Sequence, residues 1–201
     1  PMKKHLLVDI SAHGFGHLAQ TAAVLNALDY TNLRITIRSL APEAILRERI
    51  LIPFDLIHYQ QDNGMVMYDA LRVDAEATMR WHYDFHQHYS QHLLQAQADL
   101  QALSPDLLLA NVPYLSLAAA NLLGIPTLAL CSLNWADLFQ HYCGQYKGAE
   151  TIHTQMLQAY QSVQCFLQPT PSMPMTTLPN TQVIAPIALR GQRQSTALKQ
   201  H

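Results

Sequence analysis

The chain has 201 residues, of which 49% are hydrophobic, so it can bury a substantial core without the help of disulfides or a bound metal. Its 12 lysines and arginines stand against 14 acidic residues, and the net charge of -2 gives no electrostatic reason to expect nucleic acid or an anionic membrane as a partner. The three cysteines form no C-x-x-C pair, which argues against a disulfide framework and a zinc site, so reduced thiols and a cytoplasmic location are expected.

Short apolar runs alternate with helical patterns along the chain, which is typical of βα units and a mostly parallel sheet. Strands are predicted at residues 5–10, 33–37, 54–58, 106–110, 128–131, 163–167 and 183–184. Helices are predicted just after Pro42 and at residues 17–28, 71–103, 115–123, 136–142 and 150–160. These elements predict an α/β fold with a Rossmann-like, doubly wound sheet of about six or seven strands and helices on both faces.

Residues 1–187 are expected to form this domain, and the polar segment 188–201 is expected to be a linker. The sequence has no run of about 18 apolar residues, so no transmembrane segment is predicted. One domain therefore accounts for almost the whole sequence.

The predicted long helix at residues 71–103 carries two histidine pairs at i, i+4 spacing, His82 with His86 and His88 with His92. Such spacing can place two imidazoles on one metal ion. No glutamate follows in the H-E-x-x-H sense, so no metal site is predicted. We expect the first pair to line a cleft or to form hydrogen bonds between helix and sheet, and the second pair to face solvent.

Gly14, Gly16 and Ala19 form a G-x-G-x-x-A pattern directly after the first predicted strand and at the start of the first predicted helix. Glycines at such a turn let the backbone approach a ligand closely, and the free N–H groups of the helix attract anionic or polar oxygens. A tight turn that binds nothing would show the same pattern. The glycines therefore predict close approach and no particular ligand.

His13 and His17 flank these glycines, and Ser11 is close by in the sequence. The loop follows the carboxyl end of a strand, where open α/β sheets bind their ligands. A histidine there can take a proton from a sugar or lipid hydroxyl as that hydroxyl attacks an anomeric carbon. The alternative is that His17 caps the helix or packs at its start.

Polar and aromatic residues follow two later predicted strands and are expected at the same edge of the sheet. Trp135 could stack on a sugar ring, or it could pack under the next helix. Amide and carboxylate groups could bind the sugar hydroxyls. The predicted rim residues are Asn111, Tyr114, Asn134, Trp135 and Asp137.

Residues 12–28, AHGFGHLAQTAAVLNAL, resemble the first loop and helix of GT-B glycosyltransferases. The likeness is closer to the glycosyltransferase-like amino-terminal region of L-arabinose kinases and related bacterial proteins, in which a G-H-G-F-G-H loop recurs. Segments 64–74, 105–130 and 132–139 fall in the order that this family shows, so the resemblance covers about residues 1–190. It implies the amino-terminal, acceptor-side domain of a GT-B enzyme.

By this resemblance His17 occupies the place of the general base. By the same likeness His13, Gly14 and Gly16 shape the acceptor and phosphate side of the cleft. His13 is predicted to be catalytic together with His17, and Ser11 and Phe15 are predicted to bind substrate with the two glycines. The chain departs from the family at two positions. Asn111 stands where an aspartate is usual and cannot ionise to orient a basic histidine, and Ala12 replaces the first glycine of the loop.

A GT-B enzyme holds its nucleotide-sugar, such as a UDP-sugar, mainly with a second Rossmann-like domain. The resemblance therefore implies that this half binds no cofactor itself and transfers no sugar alone. Its expected partners are a small-molecule, sugar or lipid-linked acceptor and a carboxyl-terminal donor-binding domain, reached through the linker or supplied by a partner chain.

Two other functions fit parts of the sequence. In an NADP-dependent oxidoreductase fragment, Arg38 and Ser39 at the end of the second predicted strand would receive the 2'-phosphate. The histidines around the glycines would crowd a pyrophosphate there, and no Tyr-x-x-x-Lys pair follows. The other alternative is a non-catalytic ligand-binding or regulatory domain.

Overall fold

The computed structural model describes residues 2–188, and within them seven strands form a single parallel sheet in the order β3-β2-β1-β4-β5-β6-β7. The strands are β1 Lys4–Ile10, β2 Leu33–Arg38, β3 Asp55–Ile57, β4 Leu107–Asn111, β5 Thr127–Leu130, β6 Cys165–Pro169 and β7 Thr181–Ile184. The predicted α/β, Rossmann-like fold is confirmed, and every strand pairing is parallel. Residues 189–201, nearly all of the predicted linker, lie outside the described part.

Seven helices connect these strands within the same residues. They are α1 Gly16–Asn26, α2 Glu43–Arg49, α3 Ala75–Gln87, α4 Tyr89–Leu103, α5 Leu115–Leu122, α6 Trp135–Cys143 and α7 Ala149–Gln161. No helix within residues 2–188 combines the length and the apolar character needed to cross a bilayer.

Hydrophobic side chains pack on both faces of the sheet. Along β1, Leu7 belongs to the core on one face, whereas Leu6 and Val8 belong to the core on the other. This alternation follows from the two-residue period of a strand. Strands buried on both faces appear in the sequence as continuous apolar runs, which is why they could be located from the sequence alone.

The prediction of one long helix at residues 71–103 is wrong. The structure has two helices, α3 and α4, and His88 between them has φ -110° and ψ 21°. The apolar spacing continues across this break, so periodicity does not detect it. At the other end, Asp74 caps α3 by accepting from the N–H of Ala77, and the residues before it form an antiparallel bridge between Met67 and Val73.

The direction of strand addition reverses at β1, which pairs with β2 on one side and with β4 on the other. At the carboxyl ends of β1 and β4, the N–H of Ser11 donates to the carbonyl oxygen of Asn111 at 2.8 Å. Open α/β sheets bind ligands in the crevice at such a reversal. The glycine loop and Asn111 therefore meet at this point of the fold.

Candidate functional site

The glycine loop leaves open space above its backbone. Gly14 has φ +73°, a conformation that side-chain-bearing residues rarely adopt, and this explains the glycine. A Cβ added at Gly14 or at Gly16 would meet no atom of residues 2–188 within 4 Å. Phe15, the residue before α1, provides no side-chain cap, and its own ring is 60% exposed. Beside it lies a recess of about 200 Å³ between α1 and α2.

The first turn of α1 therefore keeps N–H groups that no side chain caps. It also contains no acidic residue. Free amides at a helix amino terminus attract anionic oxygens. A phosphate or a sugar oxygen could be received there.

The preceding part of the loop is held in place from two sides. The side chain of Gln60 accepts from the N–H of Ala12 at 2.9 Å. The buried hydroxyl of Ser11 accepts from the N–H of His13 at 3.3 Å. Ser11 therefore supports the loop from within, and its Oγ is engaged by the chain itself.

His17 is held by the side chain of Asn111. The Nδ1 atom of His17 lies 2.8 Å from Oδ1 of Asn111. The amide group of Asn111 donates to the carbonyl oxygen of His17 at 3.3 Å and to Oε1 of Gln20 at 3.2 Å, which fixes its orientation. Because Oδ1 can only accept, Nδ1 of His17 carries the proton. Among residues 2–188 the other ring nitrogen, Nε2, has no hydrogen-bond partner.

Burial lowers the pKa of His17 to about 4, although the hydrogen bond that His17 donates to Asn111 works in the opposite direction. The ring is only 5% exposed and is therefore neutral near pH 7. A carboxylate at position 111 would stabilise the imidazolium by its negative charge, whereas the neutral amide does so only through the hydrogen bond that its oxygen accepts. The site thus presents a neutral imidazole with a fixed tautomer.

Trp135 packs against both loop histidines. Its ring centroid is 4.9 Å from that of His13 and 5.3 Å from that of His17. The indole is 1% exposed, so the suggested stacking on a sugar stays a prediction. Two buried nitrogens, Nε1 of Trp135 and Nε2 of His13, have no hydrogen-bond partner among the described residues. Unsatisfied buried polar atoms are unusual and point to a place that a ligand or water can complete.

Asn134 and Asp137 form the amino-terminal cap of α6. Oδ1 of Asn134 accepts from the N–H of Asp137 at 2.8 Å, and its amide donates to Oδ2 of Asp137 at 2.9 Å. The hydroxyl of Thr177 donates to the other carboxylate oxygen at 2.9 Å. These side chains share the edge with Trp135, but their polar atoms are already paired, and their role in binding substrate stays a prediction.

Tyr114 lies inside the protein, away from the open rim. Its ring is fully buried, and its hydroxyl is 2.8 Å from Nε2 of His86 and 3.4 Å from Nδ1 of His82. Both histidines therefore form hydrogen bonds in the interior, as expected for the first pair. In the second pair, His88 is exposed, but His92 is half-buried and stacks on Phe85, so the prediction that both face solvent is only partly right.

Asp62 was not singled out by any sequence pattern, yet it lies buried beside the site. Its Oδ2 accepts from the N–H groups of Tyr114 and Leu115, both at 2.8 Å, at the amino terminus of α5. Burial raises its pKa to about 8, against the lowering effect of these two hydrogen bonds. Its position depends on contacts more than 50 residues away along the chain, which local patterns do not encode.

Arg38 has a role different from the one that an NADP site requires. Its guanidinium donates to both carboxylate oxygens of Asp9, at 2.6 and 2.7 Å, and both side chains are buried. The hydroxyl of Ser116 donates to the same carboxylate at 2.5 Å. The arginine is neutralised inside the core, which removes the feature that favoured an oxidoreductase fragment.

No protein-family profile and no curated protein matches the chain. Among solved structures it is similar to the glycotransferase of kitacinnamycin, with 16% identity, a TM-score of 0.57, and coverage of 96% of this chain and 54% of that one. For Phytolacca americana UGT2 bound to UDP-2fluoro-glucose and pterostilbene, the identity is 11%, the TM-score 0.56 and the coverage 100% and 58%. For the calicheamicin glycosyltransferase CalG4, these values are 14%, 0.54, 92% and 53%.

The chain spans about half the length of the solved structures that it matches. At such low identity the likeness establishes a shared fold. The suggested closer relation to the L-arabinose kinases stays a prediction.

Proposed function

We propose that this chain is the acceptor-side half of a GT-B type glycosyltransferase, with His17 as the group that receives the acceptor hydroxyl. The observation that carries the proposal is that Nε2 of His17, at the reversal point of the sheet, has no hydrogen-bond partner within residues 2–188, while Nδ1 is fixed by Asn111. The glycosyltransferases that share this fold support the assignment to half of a GT-B enzyme, and the role of His17 rests on the site geometry alone.

In the proposed reaction the acceptor hydroxyl donates its hydrogen bond to Nε2 of His17. As the hydroxyl oxygen forms a bond to the anomeric carbon, its proton passes to Nε2, and the nucleotide leaves with the electron pair of the broken bond. The low pKa of His17 opposes this proton transfer while the site is empty. The negative charge of a donor diphosphate nearby would favour the imidazolium and raise that pKa.

We further propose that the uncapped first turn of α1 receives oxygens of the donor or acceptor, with Gly14, Gly16 and His13 shaping that side of the cleft. Phe15 would contact apolar parts of the acceptor because its ring is exposed beside the recess on α1. The nucleotide-sugar itself would be held by a second Rossmann-like domain. This domain would be joined through residues 188–201 or provided by a partner chain.

The test uses histidine ring signals in nuclear magnetic resonance spectra of the 201-residue chain. We expect hydroxyl-bearing acceptors, added as a panel of phenolic, sugar and lipid alcohols, to shift the signals of His13 and His17. The exposed His141 on α6 provides the internal control. Binding of NADPH with micromolar affinity would contradict the proposal. We also expect no release of UDP from UDP-sugars by the chain alone, and turnover by it would show that the donor site lies within these residues.

A binding role without catalysis is the second candidate, and it is favoured by the amide at position 111 and the low pKa of His17. The two functions differ in what the variant His17→Gln does in the protein completed by its donor domain. A catalytic base predicts that sugar transfer falls at least about a hundredfold while acceptor binding persists. A binding role without catalysis predicts that no sugar is transferred, whether residue 17 is histidine or glutamine.

A further inference from the structure

Between β3 and α3 the chain crosses the carboxyl edge of the sheet as a short irregular segment, residues 60–64, which we call the strap. Although it has no regular secondary structure, Gln61, Asp62 and Gly64 are all buried. Loops usually lie on the surface, because a buried loop must find partners for its polar backbone. The partners of the strap connect three parts of the candidate site.

The first connection joins the strap to the glycine loop. Gln60 accepts from the N–H of Ala12 at 2.9 Å and donates to the carbonyl oxygen of Asp62 at 2.7 Å. One side chain thereby ties the backbone of the loop to the backbone of the strap. A shift of either segment would break one of these bonds.

The second connection joins the strap to α5. The carboxyl group of Asp62 receives two backbone N–H groups at the amino terminus of this helix. These are donors that the helix itself cannot satisfy. Asp62 is therefore an anchor that fixes the middle of the strap to a buried helix.

The third connection runs through Gly64. The carbonyl oxygen of Gly64 lies 2.8 Å from Nε2 of His82, which must donate because a carbonyl can only accept. On the other side, the six-membered ring of Trp135 lies directly against Gly64, so that a Cβ there would come within 2.6 Å of the ring. Trp135 in turn packs on His13 and His17.

We propose that the strap positions the two loop histidines through Trp135, with Asp62 and His82 as positioning residues and Gly64 as the seat of the indole. Asp62 holds the strap to α5, His82 holds the carbonyl of Gly64, and the absent side chain at Gly64 lets Trp135 close over His13 and His17. The importance of these histidines rests on the proposed function. Their positioning can be measured without any sugar, so failure of one proposal is distinguishable from failure of the other.

The experiment follows the titration of the His17 ring by nuclear magnetic resonance and the emission of Trp135 in a Trp81→Phe background. In Gly64→Ala the new methyl group displaces the indole and admits water to His17. We expect the proton affinity of His17 to rise at least about tenfold, one pKa unit, and the emission of Trp135 to move to longer wavelength. Leu46→Ala removes a buried side chain from the core cluster that does not contain Trp135 and serves as the control for general destabilisation, with the emission of Trp135 unchanged.

Conservative replacements separate positioning from packing. Asp62→Asn keeps an oxygen for the two amides of α5, and His82→Gln keeps a donor for Gly64, so both should retain the parental titration of His17. Asp62→Ala and His82→Leu remove these contacts and should reproduce the effect of Gly64→Ala. Should Gly64→Ala fail to fold, the comparison of His82→Gln with His82→Leu tests the proposal instead. Unchanged titration of His17 in folded Gly64→Ala, or in folded His82→Leu, would overturn the proposal.

Discussion

Oδ1 of Asn111 lies 2.8 Å from Nδ1 of His17, and the amide of Asn111 is itself oriented by two further hydrogen bonds. The imidazole is consequently locked in one tautomer without a negative charge beside it. This arrangement determines the direction of its free nitrogen, whereas burial is the main cause of its weak affinity for protons.

Replacing Asn111 with aspartate should therefore raise the pKa of His17 from about 4. A carboxylate in direct contact favours the imidazolium by about 1–3 pKa units. Ring titration by nuclear magnetic resonance measures the shift. Asn121→Asp at an exposed position on α5 is the matched control and should leave His17 unchanged. A pKa that stays at about 4 in Asn111→Asp would mean that the new carboxyl is itself protonated.

Stability should depend on pH in a way that these buried groups determine. Burial lowers the pKa of His17, His82 and His86 to about 4, so their contribution to stability is complete above the unfolded pKa near 6.5 and is lost as the pH falls towards 4. Asp62, with its pKa raised to about 8, acts in the opposite direction, because its contribution is complete below pH 3.8 and is lost as the pH rises towards 8.

Between pH 4 and 6.5 these four groups should thus bind a net excess of about two protons in the unfolded chain, three at the histidines less one at Asp62. Stability should fall by up to roughly 2.7 kcal/mol for each unit of acidification in this range, and it should decline more gently from pH 6.5 to 8. Urea unfolding at a series of pH values measures the slope. His86→Gln should make the fall in stability per pH unit below pH 6.5 smaller by the contribution of about one proton. His141→Gln, at an exposed position on α6, should leave this pH dependence unchanged.

The two loop glycines should respond differently to alanine. Gly14 has φ +73°, and Gly14→Ala should cost about 1–2 kcal/mol in the free energy of unfolding because of backbone strain. Gly16 opens α1 with free space around it, so Gly16→Ala should be neutral or should stabilise the protein by up to about 1 kcal/mol. Denaturant unfolding compares them directly. Equal losses in the two variants would contradict the assigned backbone conformations.

The buried ion pair between Arg38 and Asp9 should be costly to break. Arg38→Met leaves an unpaired carboxylate in the interior and should destabilise the protein by about 3–5 kcal/mol. Arg72→Met removes an arginine from an exposed pair with Asp69 and should have little effect. The double variant Arg38→Met with Asp9→Leu should recover part of the loss. A small loss in Arg38→Met alone would indicate that water reaches Asp9.

The sheet could be predicted because each central strand is buried on both faces and leaves a continuous apolar run in the sequence. The glycine loop could be located because Gly14 and Gly16 stand between a strand and a helix pattern. The break at His88 escaped prediction since the apolar stripe continues through it. Asp62 and the pairing of Arg38 with Asp9 escaped it as well, because their environments are made by segments far apart in the chain.

The two helices that begin at the reversal point, α1 and α5, differ in whether their first N–H groups already have hydrogen-bond partners. The amides at the start of α5 are filled from within by Asp62, whereas those at the start of α1 face open space. An anionic ligand entering the crevice thus meets one helix end whose first amides are already bonded to Asp62 and one whose amides have no side-chain partner among the described residues. The crevice is polarised, and the charged end of a ligand should be drawn to α1 while its uncharged end is turned towards Trp135 and the strap. The orientation of the ligand would then be determined before any group reacts.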